Sequence, residues 1–151
     1  MGRYTLDTLV EDIYSLMKNR NVPKDVDPEA EIEKFGEAMK ALMRDQFLPN
    51  NNYQNRKGLR LSAIGRPERV QWFGFNKWVG EKIQPHTYVK FMYGHVIEEM
   101  LLFLTRMSGH KVTDEQKKCE VRGVKGHMDC KIDGETVDVK STSSYGFKKF
   151  P

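Results

Sequence analysis

Apolar residues recur at helical spacing through the first third of the chain. Leu6, Leu9, Ile13, Leu16 and Met17 fall on one stripe and predict a helix over 5–20. A polar connection containing Pro23 follows. Asp27-Pro28 then reads as the start of a second helix, with Asp as cap and Pro at the first helical position. Glu29, Glu31 and Glu33 sit near the positive end of its dipole. Ile32, Phe35, Met39, Leu42, Met43 and Phe47 give it an apolar face that ends near Leu48-Pro49. No residue set here suggests chemistry, so the expected role of these helices is packing.

A loop begins at Asn50-Asn51-Asn52 and runs through Gly58. Residues 61–69 are expected to turn helical, with Ser62 as cap. Basic side chains are then interleaved with Trp72, Phe73, Phe75 and Trp78. These aromatics are expected in the core; the alternative is a stacking platform for single strands. Pro85 opens the longest helix, which runs to Ser108 and stops at Gly109. Its broad stripe of Val89, Tyr93, Val96, Ile97, Met100, Leu101 and Leu104, widened by Phe91, Leu102 and Phe103, predicts burial on more than one side. Two acids interrupt it. Glu98 shares its surface with Phe91, Gly94, Leu101 and Leu102, and Glu99 leans towards His95 and Arg106. A carboxylate among apolar neighbours needs a partner or a metal.

After Gly109 the period changes. Residues 111–121 read as a strand frayed by charge, and 126–141 as a hairpin turning at Asp133-Gly134, a pair suited to a two-residue type I′ turn. That turn fixes the register. Ile132 should face Glu135, Cys130 should face Val137, Asp129 should face Asp138, and His127 should face Lys140. Asp129, Asp138, His127 and Lys140 then share one face, with Cys130, Val137 and Val139 on the other. Two opposed carboxylates destabilise a hairpin unless something cationic joins them, and hard divalent cations bind through such groups. The fold class expected from this order is α+β.

Charge sharpens the picture. The net charge of +4 is unevenly spread: residues 1–53 carry 7 basic and 10 acidic side chains, residues 54–90 carry 8 and 2, and residues 91–151 carry 10 and 9. The middle third is the candidate surface for a polyanion. A length of 151 residues suits one domain over 1–151, with 1–50 a helical extension and 60–145 the core. No apolar run approaches the ~20 residues of a membrane helix, so no membrane partner is expected. The opening residues resemble no signal peptide, and Leu6 stands where a myristoylation site would need Ser or Thr. Two cysteines make no disulfide framework and suit a reducing, cytoplasmic setting. Cys119, His127 and Cys130 make no convincing zinc set, because His127 and Cys130 have opposite parity on one strand and no Cys-x-x-Cys pair exists.

Glu98 four residues after Gly94, then Asp129 in Gly126-His127-Met128-Asp129, then Asp138-Val139-Lys140-Ser141, form an ordered set. Over about residues 60–145 this resembles the PD-(D/E)XK nuclease superfamily, with its RecB-like and phage lambda-exonuclease-like members closest. The segment 61–69 is also similar to the helix ahead of the catalytic core in the RecB-like branch. Three features depart from the pattern. Met128 stands where the proline of the name would be, no iron–sulfur cysteine set is present, and no Gln-x-x-x-Tyr pattern follows Lys140.

The resemblance implies an α/β/α, restriction-endonuclease-like core and a Mg²⁺- or Mn²⁺-dependent hydrolase of DNA phosphodiesters, an exonuclease of phage recombination type acting in the host cytoplasm. It implies Glu98, Asp129, Asp138 and the Val139 carbonyl as metal ligands, with Lys140 as the catalytic cation. Arg60, Ser62, Arg66, Arg69, His127 and Ser141 are the residues expected along the DNA. The alternatives are a structure-specific or nicking endonuclease, since a chain this short forms a threading ring only as a homo-oligomer, and a catalytically silent nucleic-acid-binding module.

Overall fold

A computed structural model of the chain describes residues 4–48, 60–76, 82–142 and 144–148. One 3₁₀ turn, Leu6–Thr8, leads into helix α1 (Leu9–Asn19), whose Ile13 is buried. Helix α2 (Pro28–Phe47) starts where the sequence signals it. The Asp27 carboxylate accepts from the N–H groups of Glu29 at 3.1 Å and Ala30 at 3.2 Å, a cap worth about 1 kcal/mol. Both helices pack against helix α4 (Pro85–Met107), with the rings of Phe35 and Phe103 5.0 Å apart.

Helix α4 departs from expectation in its burial. Leu102, Thr105, Arg106 and Met107 are buried, all at its C-terminal end, whereas Val89, Phe91, Tyr93, Ile97 and Met100 are exposed. The contacts from α2 reach its last turns. There Arg106, 6% exposed, donates through Nε to Glu31 at 2.6 Å and through Nη1 to Glu115 at 3.1 Å. A buried guanidinium requires such partners. The helix ends at Gly109, whose φ of +96° favours glycine and where a Cβ would come within 2.8 Å of the Tyr4 ring.

The segment expected to be helical from Leu61 is broken. A 3₁₀ turn (Leu61–Ala63) precedes a separate helix α3 (Glu68–Phe75), which has Pro67, not Ser62, at the position before its first residue and no side-chain cap. Arg66 precedes a proline, which disfavours the helical region for it, and Gly65 has φ +85°. The aromatics here are not core: Trp72 is 56% and Phe75 60% exposed. Phe73 is half-buried with the Arg69 guanidinium 5.7 Å from its ring centroid. Trp78 and the loop over 50–58 lie outside the described residues.

The strand expected over 111–121 is two strands, β1 (Val112–Thr113) and β2 (Lys117–Val121). A hairpin unforeseen in the sequence joins β2 to β3 (Val124–Met128) through Arg122-Gly123, both at positive φ. The chain then continues into β4 (Cys130–Ile132), which pairs with both β1 and β5 (Glu135–Val137). The Asp133-Gly134 turn, with φ of +50° and +92°, sets the expected pairs Ile132–Glu135 and Cys130–Val137.

Between the pairs Thr113–Lys131 and Lys117–Met128, three residues on one side (114–116) oppose two on the other (129–130). This is a β-bulge with one extra residue, and Asp114 and Gln116 both take positive φ within it. It divides the sheet in two, with β1-β4-β5 on one side and the β2-β3 ribbon on the other. The buried cluster Leu102, Cys130 and Ile132, with Leu6, Leu9, Val112 and Val137 against it, joins α4 to the three-stranded sheet. Burying one Leu or Ile side chain contributes about 1.5–3 kcal/mol. Burial pushes the Cys130 thiol up to about 11, so it remains an unreactive thiol at neutral pH. A short helix α5 (Ser144–Phe147) follows. The chain is thus a mixed α+β structure.

Candidate functional site

Asp129 occupies the single position between β3 and β4, where the chain passes from one sheet to the other. Its carbonyl accepts from the Gln116 N–H at 2.8 Å across the bulge. Its carboxylate Oδ2 accepts from the Val139 N–H at 2.9 Å. The ladder stops at Cys130–Val137, so Asp129 and Asp138 are not an opposed strand pair as expected. Asp129 reaches one residue further, to the Val139 backbone. Asp138, with its side chain 65% exposed, instead accepts from Lys140 Nζ at 2.6 Å.

Lys140 Nζ also lies 3.8 Å from Asp129 Oδ2. The hydrogen bond to Asp138 holds its ammonium above the usual lysine range, helped by the charges of Asp138, Asp129 and Glu98, against a smaller opposing effect of burial. Glu98 approaches from α4 with its side chain 17% exposed. It accepts from Gln116 Nε2 at 2.9 Å, and His95 Nδ1 stands 3.9 Å from its other oxygen. Burial holds its carboxyl above the ordinary range and the Asp129 charge raises it further, with Gln116 opposing. Helix α4 runs close to the chain beyond β5, since a Cβ on Gly94 would lie 3.7 Å from Ser141 Oγ.

Glu98, Asp129, Asp138 and Lys140 therefore interact electrostatically although they come from three different parts of the fold. Glu99 is also held high, first by burial and then by Glu115, with Arg106 opposing; Arg106 itself is bonded to Glu31 and Glu115. The expected contact of His127 with Lys140 is absent. His127 is exposed on β3 opposite Lys118, because the bulge turns that strand away from β5. Arg60, Ser62, Arg66 and Arg69 are exposed along the 3₁₀ turn and α3. Arg60 bridges to Lys125 on β3, which places the start of that basic segment beside the ribbon.

Among the described residues, no three His, Cys, Asp or Glu side chains are gathered closely enough to hold a metal ion. Gln116, the Val139 N–H and Lys140 take up oxygens of Glu98, Asp129 and Asp138 respectively. The chemistry of the donors nonetheless suits a hard cation, since all are oxygens and one carboxylate is desolvated beside another. Mg²⁺ binds through one or two carboxylates together with water and substrate phosphates, and needs no closed protein cage.

Two residues at or near the site were not visible in the sequence. Gln116 links Glu98 and Asp129 through side chain and backbone, and its place depends on a bulge that no periodicity announces. His110, whose side chain is fully buried, sits between Asp133 at 2.6 Å and Asp12 at 3.2 Å and fixes the hairpin turn to α1. Its only sequence signal is its position directly after the glycine stop. A cavity of about 460 Å³ lies between α1 and the connection to α2, lined by residues such as Tyr4, Asp12 and Asn21. Another of about 320 Å³ is lined by Asp27, Arg106 and His110 among others. Neither is lined by Glu98, Asp129, Asp138 or Lys140. No described helix is long and apolar enough to cross a membrane. Compared with protein-family models, curated proteins and solved structures, the chain matches none.

Proposed function

We propose that the chain is a Mg²⁺- or Mn²⁺-dependent DNA nuclease whose cleavage centre is Glu98, Asp129, Asp138 and Lys140. The observation that carries this is the placement of Lys140 Nζ, 2.6 Å from Asp138 and 3.8 Å from Asp129, with the desolvated Glu98 adding its charge from α4. An ammonium between carboxylates marks a place where cationic charge is favoured. The reading includes an α/β/α nuclease core of the RecB-like kind, with α4 and the strands after it as its centre.

Asp129 and Asp138 would hold the metal, with Glu98 and the Val139 carbonyl as further oxygen donors. The metal, when bound, polarises a phosphoryl oxygen and acidifies a water. Lys140 stays protonated across the working pH range and offers a fixed positive charge to the phosphate. Gln116 restrains Glu98, and the Val139 N–H restrains Asp129. The exposed arginines Arg60, Arg66 and Arg69 bring the polyanion to this face. An exonuclease is the favoured form, following the resemblance.

A second reading, a nucleic-acid-binding module without cleavage, draws on the absence of a three-ligand cluster among the described residues. The purified chain incubated with DNA and Mg²⁺ or Mn²⁺ separates them. Cleavage that is lost in Asp138→Ala, with DNA binding kept, supports the nuclease. Binding without cleavage under both metals sinks it. Linear and circular substrates then divide exonuclease from endonuclease.

A further inference from the structure

We propose that the β2-β3 ribbon is a duplex-DNA contact that enters the major groove, with Lys118, Arg122 and Lys125 as its phosphate contacts. This rests on the reading of the neighbouring centre as one that acts on DNA. The ribbon is a separate two-stranded sheet of five residue pairs, about 17 Å long at ~3.4 Å per residue. Its register decides what each face carries. Lys118 lies opposite His127 and Glu120 opposite Lys125, and all four are exposed. The other face holds Cys119 and Gly126, and Leu61 packs so closely on Gly126 that a Cβ there would meet its side chain at 2.8 Å. One face is therefore seated on the 3₁₀ turn and the other is free.

Arg122 stands at the exposed tip, in the turn with Gly123. Arg60 is fastened alongside by its bridge to Lys125. Lys117 and Lys131, by contrast, are tied to Asp114 in the bulge. Among the described residues, Lys118, Arg122, Lys125 and Arg60 form no ion pair.

The base of the ribbon also points to DNA. The residue after Met128, the last of β3, is Asp129, so a duplex lying along the ribbon runs directly to the proposed cleavage centre. A two-stranded ribbon fits the B-form major groove, about 12 Å wide. The major groove of A-form RNA is too narrow and deep for it. The ribbon spans about five base pairs at ~3.4 Å rise.

The test is equilibrium binding of the full chain to a labelled duplex and to the matching single strand, in EDTA so that nothing is cut, across a KCl series. The Lys118→Ala/Arg122→Ala/Lys125→Ala variant should bind duplex at least tenfold more weakly at ~100 mM salt. Its slope of log affinity against log salt should be shallower by roughly 2.7, at ~0.9 per phosphate contact. Glu120→Lys adds a cation on the same face, so it should tighten duplex binding and steepen the slope by about 0.9. A gain of that kind cannot come from misfolding. Unchanged slopes in both variants overturn the proposal, as does a wild-type chain that binds neither DNA or prefers the single strand. The cleavage assay is separate. A chain that cuts with Mg²⁺ but ignores the ribbon substitutions refutes the ribbon alone, and one that binds through the ribbon but never cuts refutes the nuclease centre alone.

Discussion

Gln116 Nε2 donates to Glu98 Oε1 at 2.9 Å, joining the β-bulge to helix α4. The same residue's N–H donates to the Asp129 carbonyl, so one side chain and its backbone set the relation between two proposed ligands. Gln116→Leu, which keeps the bulk and removes the amide, should therefore weaken metal binding without dismantling the fold. The expected change is a metal requirement raised about 10–100-fold, with the maximal rate at saturating metal less affected. Titrating cleavage with Mn²⁺ in wild type and variant measures it. An unaltered midpoint would make the contact structural only.

Lys140 is exposed and bonded to Asp138, so its removal should cost little stability and much activity. Lys140→Ala is expected to cut slower by about 10²–10³, the scale for losing one charge-stabilising donor, while duplex affinity in EDTA stays within about threefold. Lys140→Arg should recover part of the rate, since charge is kept but a planar fork replaces a point charge. Rates and affinities measured on the same preparations decide it; equal losses in both would recast Lys140 as a binding residue.

These residues also show what sequence reasoning can reach. Asp133-Gly134 permits essentially one turn type, and that local fact carried the register of Ile132–Glu135 and Cys130–Val137 correctly. Asp27-Pro28 and Gly109 were equally local signals, and α2 and α4 begin and end there. The bulge at 114–116 was not legible, because it is held by partners distant in sequence: Glu115 by Arg106 and Lys34, and Gln116 by Glu98. Missing it put His127 on the wrong sheet and opposed Asp129 to Asp138. The Arg122-Gly123 turn carries only half of a hairpin signal, since Gly123 suits a positive φ but Arg122 is not the Asn, Asp or Gly that such turns favour. Periodicity marked α4 as buried on several sides, yet an apolar stripe reports only what a helix is able to bury. Its buried residues all lie in its final turns.

His110 supports the hairpin from below. Both ring nitrogens meet carboxylate oxygens, Asp133 at 2.6 Å and Asp12 at 3.2 Å, and its side chain has no exposure. His110→Ala leaves a void and strands the Asp133 carboxylate, which the Lys111 N–H still contacts. A loss of about 1.5–3 kcal/mol, the scale of a charged hydrogen bond, is expected from urea unfolding. A loss below 0.5 kcal/mol would show that the turn holds itself.

Glu98 carries a linked cost. Burial and the Asp129 charge hold its carboxyl above 4.5, the ordinary value. Between that value and the raised folded one, the native state binds more proton than the unfolded state. Stability therefore falls as pH rises through that window. In metal-free protein, Glu98→Gln removes the burden while a side-chain oxygen can still accept from Gln116. The variant should unfold at higher urea than wild type at pH 7, with the advantage shrinking as pH is lowered towards 4.5. Glu99 is held high for its own reasons, but it is common to both proteins and cancels in the comparison. The same substitution should lower cleavage at least 10²-fold if Glu98 contributes a ligand oxygen, on the scale of lost electrostatic stabilisation. A variant both more stable and less active is what a proposed ligand kept at the expense of folding predicts. Urea midpoints that differ equally at pH 4.5 and pH 7 would remove the electrostatic explanation, and full activity in Glu98→Gln would remove Glu98 from the centre.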